Sequence, residues 1–246
     1  MKPIIIIPAR MASTRLPGKP LADIAGRAMI LRVCDTARNA DIGPVVVAAG
    51  DQEIFDAVTA AGFQCAMTDP ELPSGTDRIY AAINELDPDG DYDVVVNLQG
   101  DAPGLDPAHT RAVLTPLKHD PDTDIATLAV ATNDPAKAAN PNIVKCIIAK
   151  NPAHDFGRAL YFTRANAPSG DGPIHHHAGI YAYRRKALER FCALPVSPLE
   201  AREQLEQLRA LENNMTISVQ LIDQMPSSVD TQEDLEEVRK LFDQSV

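Results

Sequence analysis

The chain has 246 residues, of which 45% are hydrophobic and 4% aromatic, and its formal net charge is −11 at pH 7. This length suffices for one large α/β domain or for two lobes that share a sheet. An acidic chain without a basic stripe cannot displace the counterions of DNA or RNA, and no apolar run is long enough to span a bilayer, so we expect neither nucleic acid nor a membrane as a partner.

The first predicted element is a strand formed by four consecutive isoleucines, Ile4–Ile7, a pattern typical of a strand buried on both faces. The segment that follows, residues 10–19, is called the cationic loop here because it carries Arg10, Arg15 and Lys19 and no carboxylate. Open α/β sheets bind ligands beyond the carboxyl ends of their strands, so this loop predicts an anion site. The alternative is a solvated surface loop whose basic residues are there by chance.

Strand and helix patterns alternate after this loop. Val45–Ala49 predicts a strand, and Asp51 is placed to cap the helix that follows it. Such alternation predicts a doubly wound, mostly parallel sheet. The next predicted elements are a helix at Thr76–Leu86 and strands at Val94–Val96, Ile125–Ala131, Ile143–Ala149, Ala159–Thr163 and Gly179–Tyr183.

The last fifty residues predict two helices and a strand. A capping box at Ser197–Glu200 opens a helix that we expect to continue to Asn213, with Glu206 and Gln207 beside its leucine face. A strand at Thr216–Ile222 follows, and Thr231 begins a terminal helix. Because no linker or repeat interrupts the chain, we predict a single domain over residues 1–246.

Cysteine usage indicates a cellular compartment. The four cysteines lie far apart in apolar surroundings and form no C-x-x-C pair. They are typical of reduced core thiols, and the first residues lead straight into a strand without the pattern of a signal peptide. We therefore expect a cytoplasmic protein.

Two acidic positions are candidate metal ligands. Asp101 follows Gly100 where the strand at Val94–Val96 ends, which suits a hard divalent cation, although a turn aspartate that bonds its own backbone is equally consistent. Asp230 would supply a second oxygen ligand just before the terminal helix. From sequence alone, a part in the cap of that helix explains Asp230 better than metal binding does.

Two further motifs have open interpretations. The segment Ser74–Arg78 offers a helix N-terminus to an anion or a base edge, and an ordinary capped helix start explains it equally well. In His175–His177, neighbouring side chains of a strand point to opposite faces, so the triplet favours one functional histidine over a transition-metal site.

Eight segments match, in order, those of the 3-deoxy-manno-octulosonate cytidylyltransferases, the CMP-Kdo synthetases, which the chain resembles over nearly its whole length. The segments are IPARMASTRLPGKPL, SGTDR, NLQGD, NPNIVK, ALYFTRA, HHAGIYAYRR, SPLEAREQLEQLRALE and VDTQEDLE. The resemblance implies an α/β fold of the nucleotide-diphosphosugar-transferase type, with a smaller dimerisation and sugar-binding subregion, and usually a homodimer. It also implies synthesis of CMP-Kdo and diphosphate from CTP and the octulosonic acid Kdo, with Mg²⁺, for lipopolysaccharide biosynthesis.

The resemblance also implies roles for individual residues. Four are implied to act in catalysis: Arg15, Lys19, Asp101 and Asp230, of which the two aspartates bind the metal. The nucleotide-binding residues are Ala9, Arg10, Ser13, Arg15, Lys19, Ser74, Gly75, Arg78 and Gln99. The sugar-binding residues are Arg164, His177, Tyr181, Glu206 and Gln207.

Three positions depart from the family pattern. Leu72 and Ala201 stand where many members have a histidine, and Ala102 replaces an acidic residue. Each change removes a possible hydrogen bond. A related ulosonic acid, such as 8-amino-Kdo, is therefore an alternative substrate, and a catalytically silent nucleotide-sugar-binding module is a second alternative.

Overall fold

The computed structural model describes residues 1–12 and 16–243. The chain divides into two compact units: unit 1 comprises Met1–Thr110 and Pro226–Val246, and unit 2 comprises Arg111–Met225. The single domain over residues 1–246 stays a prediction, because this division does not decide whether either unit folds alone. Among the described residues, no helix is both long and apolar enough to cross a membrane.

Strands and helices alternate through most of the chain. The strands are β1 (Pro3–Ala9), β2 (Asp23–Ile24), β3 (Arg27–Ala28), β4 (Val45–Ala49), β5 (Gln64–Met67), β6 (Val94–Asn97), β7 (Ile125–Thr132), β8 (Lys145–Lys150), β9 (Phe156–Thr163), β10 (Ile174–Arg184) and β11 (Ile217–Leu221). The helices are α1 (Met29–Asn39), α2 (Gln52–Ala60), α3 (Gly75–Leu86), α4 (Pro107–Ala112), α5 (Thr115–His119), α6 (Pro135–Ala139), α7 (Arg185–Ala193), α8 (Pro198–Glu203), α9 (Leu208–Glu212) and α10 (Gln232–Asp243). A 3-10 turn occupies Lys19–Leu21.

The sheet of unit 1 is parallel, in the order β5-β4-β1-β6. Ile5 of β1 pairs with Val45 of β4 on one side and Val96 of β6 on the other. The four isoleucines of β1 are all buried, as a strand covered on both faces requires. The α/β alternation and the parallel sheet predicted for this part of the chain are confirmed. The carboxyl ends of β1, β4 and β6 form one edge, the place where open α/β sheets commonly bind ligands.

The C-terminal helix α10 packs onto the N-terminal part of unit 1. Leu235 and Val238 of α10 join a buried cluster with Ile24 and Met29, and Val229 lies in the same cluster just before the helix. Helix α10 thus buries an apolar face against residues more than 200 positions earlier in the chain. This packing brings the segment before α10, which includes Asp230, back to the beginning of the chain.

Unit 2 has a mixed sheet in the order β10-β7-β11-β9-β8, and β8 pairs again with β10. Only β7 and β11 run parallel; the other pairings are antiparallel. The short connection from β8 to β9 accounts for part of this difference from unit 1, because only antiparallel neighbours can be joined by a few residues. The predicted strands of this unit are found, with β10 longer than expected and containing all three consecutive histidines.

The single helix predicted from the capping box to Asn213 is wrong. Helix α8 ends at Glu203, Gln204 takes a left-handed conformation with φ 56°, and α9 begins at Leu208. The cause is a buried ion pair in which Arg209 Nε donates to Glu200 Oε2 over 2.9 Å. In a continuous helix these two residues would be about 13 Å apart along the axis, so their pairing requires the break.

Candidate active site

Unit 1 contains a cavity of about 410 Å³ at the carboxyl ends of β1 and β6 and at the N-terminus of α3. Every described residue predicted for nucleotide or metal binding lines it: Ala9, Arg10, Lys19, Ser74, Gly75, Arg78, Gln99, Asp101 and Asp230. Ser13 and Arg15 lie outside the described residues. The volume is in the range of small-molecule sites. Residues from four separate stretches of sequence therefore meet at the edge that the α/β pattern predicts.

Asp101 and Asp230 converge on one ammonium group. Lys19 Nζ lies 2.7 Å from Asp101 Oδ2 and 3.2 Å from Asp230 Oδ1. The lysine side chain is 13% exposed, whereas the two carboxylates are 31% and 44% exposed. Two partly open acidic side chains thus share a single cation position, although they are distant in sequence.

The backbone fixes this pair of acidic segments. The Val229 N–H donates to the carbonyl oxygen of Asp101 over 2.8 Å, which links the segment before α10 to the turn after β6. Helix α10 is capped by Thr231, whose hydroxyl accepts the Asp234 N–H at 3.2 Å, while Asp234 Oδ2 accepts the Thr231 N–H at 2.8 Å. Asp230 takes part in this cap through its backbone, because its N–H donates to Asp234 Oδ2 over 2.9 Å, while its carboxylate contacts Lys19.

Gly100 allows the acidic turn to lie against β1. A Cβ at this position would be 3.0 Å from the carbonyl oxygen of Pro8 and 3.3 Å from Ile30 Cδ1. A larger residue would force the turn away from β1 and would move Asp101 with it. The lack of a side chain at Gly100 thus permits the close approach of the acidic turn to β1.

The donor set suits magnesium. Mg²⁺ in nucleotide enzymes is commonly held by one or two carboxylates and by phosphate oxygens of the substrate, and Asp101 with Asp230 supplies two converging carboxylates. The ammonium of Lys19 shows that a cation fits between them. Within residues 1–12 and 16–243, no cluster of three or more His, Cys, Asp or Glu side chains could hold an ion without a ligand's help.

Arg78 and Ser74 stabilise the wall of the cavity through hydrogen bonds within the protein. Arg78 is 2% exposed, and its guanidinium donates to Thr68 Oγ1 and to the carbonyl oxygens of Asp69 and Pro70. Ser74 Oγ accepts the Asp77 N–H at 3.1 Å and so caps α3. The capped helix start weighed for this motif is confirmed, and both residues also line the cavity.

In unit 2, three of the residues predicted to bind the sugar lie near one another: His177, Tyr181 and Glu206. The rings of His177 and Tyr181, both on β10, have centroids 5.5 Å apart. Burial raises the pKa of Tyr181 well above its ordinary value, and the nearby Tyr183 and Glu206 add to the effect. Tyr181 therefore keeps its phenolic proton near neutral pH and can act as a hydrogen-bond donor.

Gln207 lies in the connection before α9, not on the helix expected from sequence. Its side-chain amide is buried, and Nε2 has no hydrogen-bond partner among the described residues. A buried donor without an acceptor is costly, and a bound polar ligand would remove that cost. Glu206, its neighbour in the chain, occupies the same connection.

Arg164, just after β9, is held by backbone carbonyls. Its Nε donates to the Glu203 carbonyl at 3.1 Å and its Nη1 to the Pro141 carbonyl at 3.3 Å. The Glu203 carboxylate instead accepts the Thr163 hydroxyl at 2.8 Å and the Arg164 backbone N–H at 3.0 Å. The hydrogen bonds of the guanidinium thus go to neutral carbonyl groups, while the nearby Glu203 carboxylate interacts with its charge at longer range.

Two residues that support Arg164 are not among the site residues predicted from sequence. One is Glu203, described above; the other is Lys145, which is fully buried. Lys145 Nζ donates to the carbonyls of Asn140, Ile143 and Arg164 at 2.7 to 2.9 Å. Both are charged residues in ordinary sequence surroundings, and only the fold shows that they hold the Arg164 backbone.

The burial of the His177 ring predicts that the folded protein loses stability as the pH falls. Burial and then the neighbouring His176 lower the pKa of His177 to about 3, so the folded protein keeps this ring neutral while the unfolded chain takes up a proton near pH 6.5. Acidification therefore favours unfolding, by about 2 kcal/mol between pH 6.5 and pH 5 for this group. His177 Nε2 lies 3.0 Å from Thr127 Oγ1. We expect His177→Gln, which can still contact Thr127, to reduce the loss of unfolding free energy over this interval by up to that amount in urea titrations.

A matched control is His119→Gln, because His119 is an exposed histidine. This variant should lose as much stability on acidification as the unchanged protein. Equal pH dependence of the His177 variant and the unchanged protein would contradict the prediction.

Similarity to known proteins agrees with this arrangement. The family model of cytidylyltransferases matches residues 4–217. A 3-deoxy-manno-octulosonate cytidylyltransferase of Rhodospirillum centenum is 57% identical over 98% of this chain and 93% of its own length, and that of Paramagnetospirillum magneticum is 54% identical over 98% of both. The chain belongs to the 3-deoxy-manno-octulosonate cytidylyltransferase family.

Solved structures extend the comparison. The structure of a CMP:2-keto-3-deoxy-manno-octonic acid synthetase complexed with CTP covers all of this chain and is itself fully covered, with a TM-score of 0.92 and 37% identity. A cytidylyltransferase from Leptospira borgpetersenii has a TM-score of 0.63 at 16% identity and shares the fold alone. The α/β fold expected for a 3-deoxy-manno-octulosonate cytidylyltransferase is confirmed.

The three departures from the family pattern lie in different surroundings. Leu72 lines the cavity of unit 1, so its apolar side chain lies among the residues predicted to bind the nucleotide. Ala102 is buried beside the acidic turn, where an alanine needs no hydrogen-bond partner. Ala201 is an exposed residue of α8. Leu72 is therefore the departure that lies against the candidate site.

Proposed function

We propose that the protein is a cytidylyltransferase that joins CMP, from CTP, to Kdo and releases diphosphate, a step in lipopolysaccharide biosynthesis. The observation that carries the proposal is the convergence of Asp101, Asp230 and Lys19 at the cavity that the nucleotide residues line. The names of the related proteins specify the same two substrates.

In unit 1, the main contribution of the protein is to neutralise the negative charge of the phosphates. The 2-hydroxyl oxygen of the sugar acid forms a bond to the α-phosphorus of CTP and releases its proton to water, and the bond from that phosphorus to the diphosphate oxygen breaks. Negative charge grows on the diphosphate, and cationic donors aimed at it lower the barrier. Lys19 and Arg10 line the cavity from the cationic loop and are suited to this role.

Asp101 and Asp230 would hold a magnesium ion. When bound, the ion supplies Lewis-acid stabilisation of phosphate charge and lowers the pKa of a coordinated hydroxyl. The two aspartates fix where that positive charge lies relative to the β6 turn, because the hydrogen bond from Val229 to Asp101 holds their segments together.

In unit 2, Arg164 is suited to the carboxylate of the sugar acid. A planar guanidinium pairs with a carboxylate through two parallel hydrogen bonds, and that of Arg164 is already oriented by backbone carbonyls. The Tyr181 hydroxyl and the Gln207 amide are donors suited to sugar hydroxyls. Recognition of an acid by a preoriented cation limits the substrates to carboxylated sugars.

The test of the proposal is diphosphate release with CTP and Mg²⁺, measured side by side with Kdo, its 8-amino analogue and N-acetylneuraminate. We expect turnover with CTP and Kdo and little with N-acetylneuraminate. A preference for the 8-amino analogue would reassign the acid, while CTP binding without turnover would favour the silent module. A parallel panel of ATP, GTP and UTP tests the choice of nucleotide.

Replacement of Arg164 should separate the two substrates. We expect Arg164→Ala to raise the KM for Kdo by about tenfold to a hundredfold, because a charge-assisted pair with the carboxylate is lost. The affinity for CTP, measured by calorimetry, should be unchanged. The control is Arg158→Ala, which removes an exposed arginine from strand β9, the strand that immediately precedes Arg164. A loss confined to CTP affinity would contradict the assignment.

The homodimer and the cytoplasmic location also remain proposals. Unit 2 exposes the apolar side chains of Leu160 and Val196, at 49% and 65%, which would suit a contact with a second copy. The four cysteines are free thiols, as in reducing compartments. Light scattering in solution and fractionation of cells test these two points.

A further inference from the structure

Asp51 forms a contact that its position in sequence does not suggest. It occupies the N-cap position of α2, where an aspartate ordinarily accepts a hydrogen bond from the backbone of the first helical turn. Its side chain makes no such bond. Instead, Asp51 Oδ2 accepts the backbone N–H of Met11 over 2.7 Å, across 40 residues of sequence. The carboxylate thus contacts the cationic loop instead of the first turn of α2.

A second bond fixes the loop on the other side of Arg10. The Gly50 N–H donates to the carbonyl oxygen of Ala9 over 2.9 Å. The residues immediately before and after Arg10 are thus attached to consecutive residues at the end of β4. Arg10 itself lines the cavity, so these two bonds set the direction in which its side chain leaves the backbone.

The surrounding charges explain why the anchor is a carboxylate. The buried guanidinium of Arg78 lies against Gly50, where an added Cβ would be 2.7 Å from Arg78 Nη1. Burial and then Arg10 lower the pKa of Arg78, and Asp51 acts in the opposite direction. A carboxylate at position 51 therefore offsets positive charge around the Arg78 guanidinium, to which Arg10 adds, while it holds the loop.

We propose that Asp51 is a positioning residue for the nucleoside triphosphate: by holding the Met11 amide, it fixes the backbone from which Arg10 reaches the phosphates. The proposal rests on the proposed function. Among the described residues that line the cavity, neither Asp51 nor Met11 is found, so the carboxylate acts through the loop and not on the ligand.

Three variants separate this role from helix capping. Asp51→Ala removes both the cap and the anchor. Asp51→Ser keeps a good N-cap residue, but its side chain is too short to reach Met11. Asp51→Asn keeps a carbonyl oxygen at the position of the carboxylate. Glu53→Ala is the matched control, because it removes an exposed carboxylate from the first turn of the same helix.

We expect the Ala and Ser variants to bind CTP about tenfold more weakly, as judged by calorimetry, because a charge-assisted hydrogen bond is lost. The Asn variant should lose less affinity than either, because its amide oxygen still accepts the Met11 N–H although the negative charge is gone, and the Glu53 control should equal the unchanged protein. The Met11 amide, followed by NMR, should exchange with solvent much faster in the Ala and Ser variants. The KM for Kdo should be unchanged in all four.

Two outcomes would overturn the proposal. In one, Asp51→Ala binds CTP as tightly as the unchanged protein. In the other, Asp51→Ser restores affinity as fully as Asp51→Asn, which would assign the effect to capping of α2. Failure of the proposed function looks different: the unchanged protein would then not turn over CTP and Kdo, while the exchange rate of the Met11 amide would still report on the anchor.

Discussion

Replacement of Asp101 by asparagine should reduce the rate of diphosphate release by about a thousandfold or more. The substitution keeps the shape of the side chain but removes a negative charge from the position where Asp101 and Asp230 converge. A metal ion supplies several kcal/mol of transition-state stabilisation, and a weakened carboxylate pair no longer holds it. The fold should survive, because exposed or partly exposed ion pairs contribute about 1 kcal/mol or less to stability.

Two measurements accompany the rate. Binding of Mn²⁺ in the presence of CTP, followed by electron paramagnetic resonance, should weaken in the Asp101 variant, and the thermal midpoint should change little. Asp89→Asn is the control, since it removes the same charge from an exposed turn of unit 1. A variant with near-normal turnover and undiminished Mn²⁺ binding would show that Asp101 does not hold the metal.

Replacement of Lys19 by alanine should lower the rate by about a hundredfold to a thousandfold. Removal of one preorganised donor to developing negative charge typically has an effect of this size. In the structure the ammonium lies between the two aspartates, and a lysine side chain has the freedom to turn from them to a phosphate oxygen. Lys19→Arg should recover only part of the rate, because a planar guanidinium does not replace a compact ammonium.

The control for this variant is Lys240→Ala, which removes an exposed lysine of α10 in the same unit. Single-turnover kinetics with saturating CTP separate the chemical step from binding. A rate constant within a factor of about three of the unchanged protein would exclude Lys19 from transition-state stabilisation, since a donor of this kind has a much larger effect.

Local patterns were sufficient to predict most of unit 1. The isoleucine run of β1 is apolar at every position, and a strand of that kind must be covered on both faces. The cationic loop and the acidic turn each follow a predicted strand, so parallel topology alone places them at one edge. Gly100 adds a local reason for the close approach of that turn to β1.

Features that depend on distant partners could not be predicted in this way. The position of Asp230 follows from the packing of α10 against residues near the N-terminus, which no local pattern specifies. The break between α8 and α9 follows from the pairing of Glu200 with Arg209, a contact that helical periodicity gives no reason to expect. Asp51 looks like a cap in sequence, and only the neighbouring loop explains why its carboxylate turns away from the helix.

The order in which the ribosome makes these residues has a consequence for biosynthesis. Unit 1 is formed by one segment that precedes unit 2 in the chain and one that follows it, so all of unit 2 is synthesised between them. A nascent chain that has reached Met225 contains Asp101 and Lys19 but neither Asp230 nor the helix that covers Ile24 and Met29. With the role proposed for Asp230, catalytic competence arises only after the segment from Pro226 onward has emerged from the exit tunnel and has packed against the N-terminal part of unit 1.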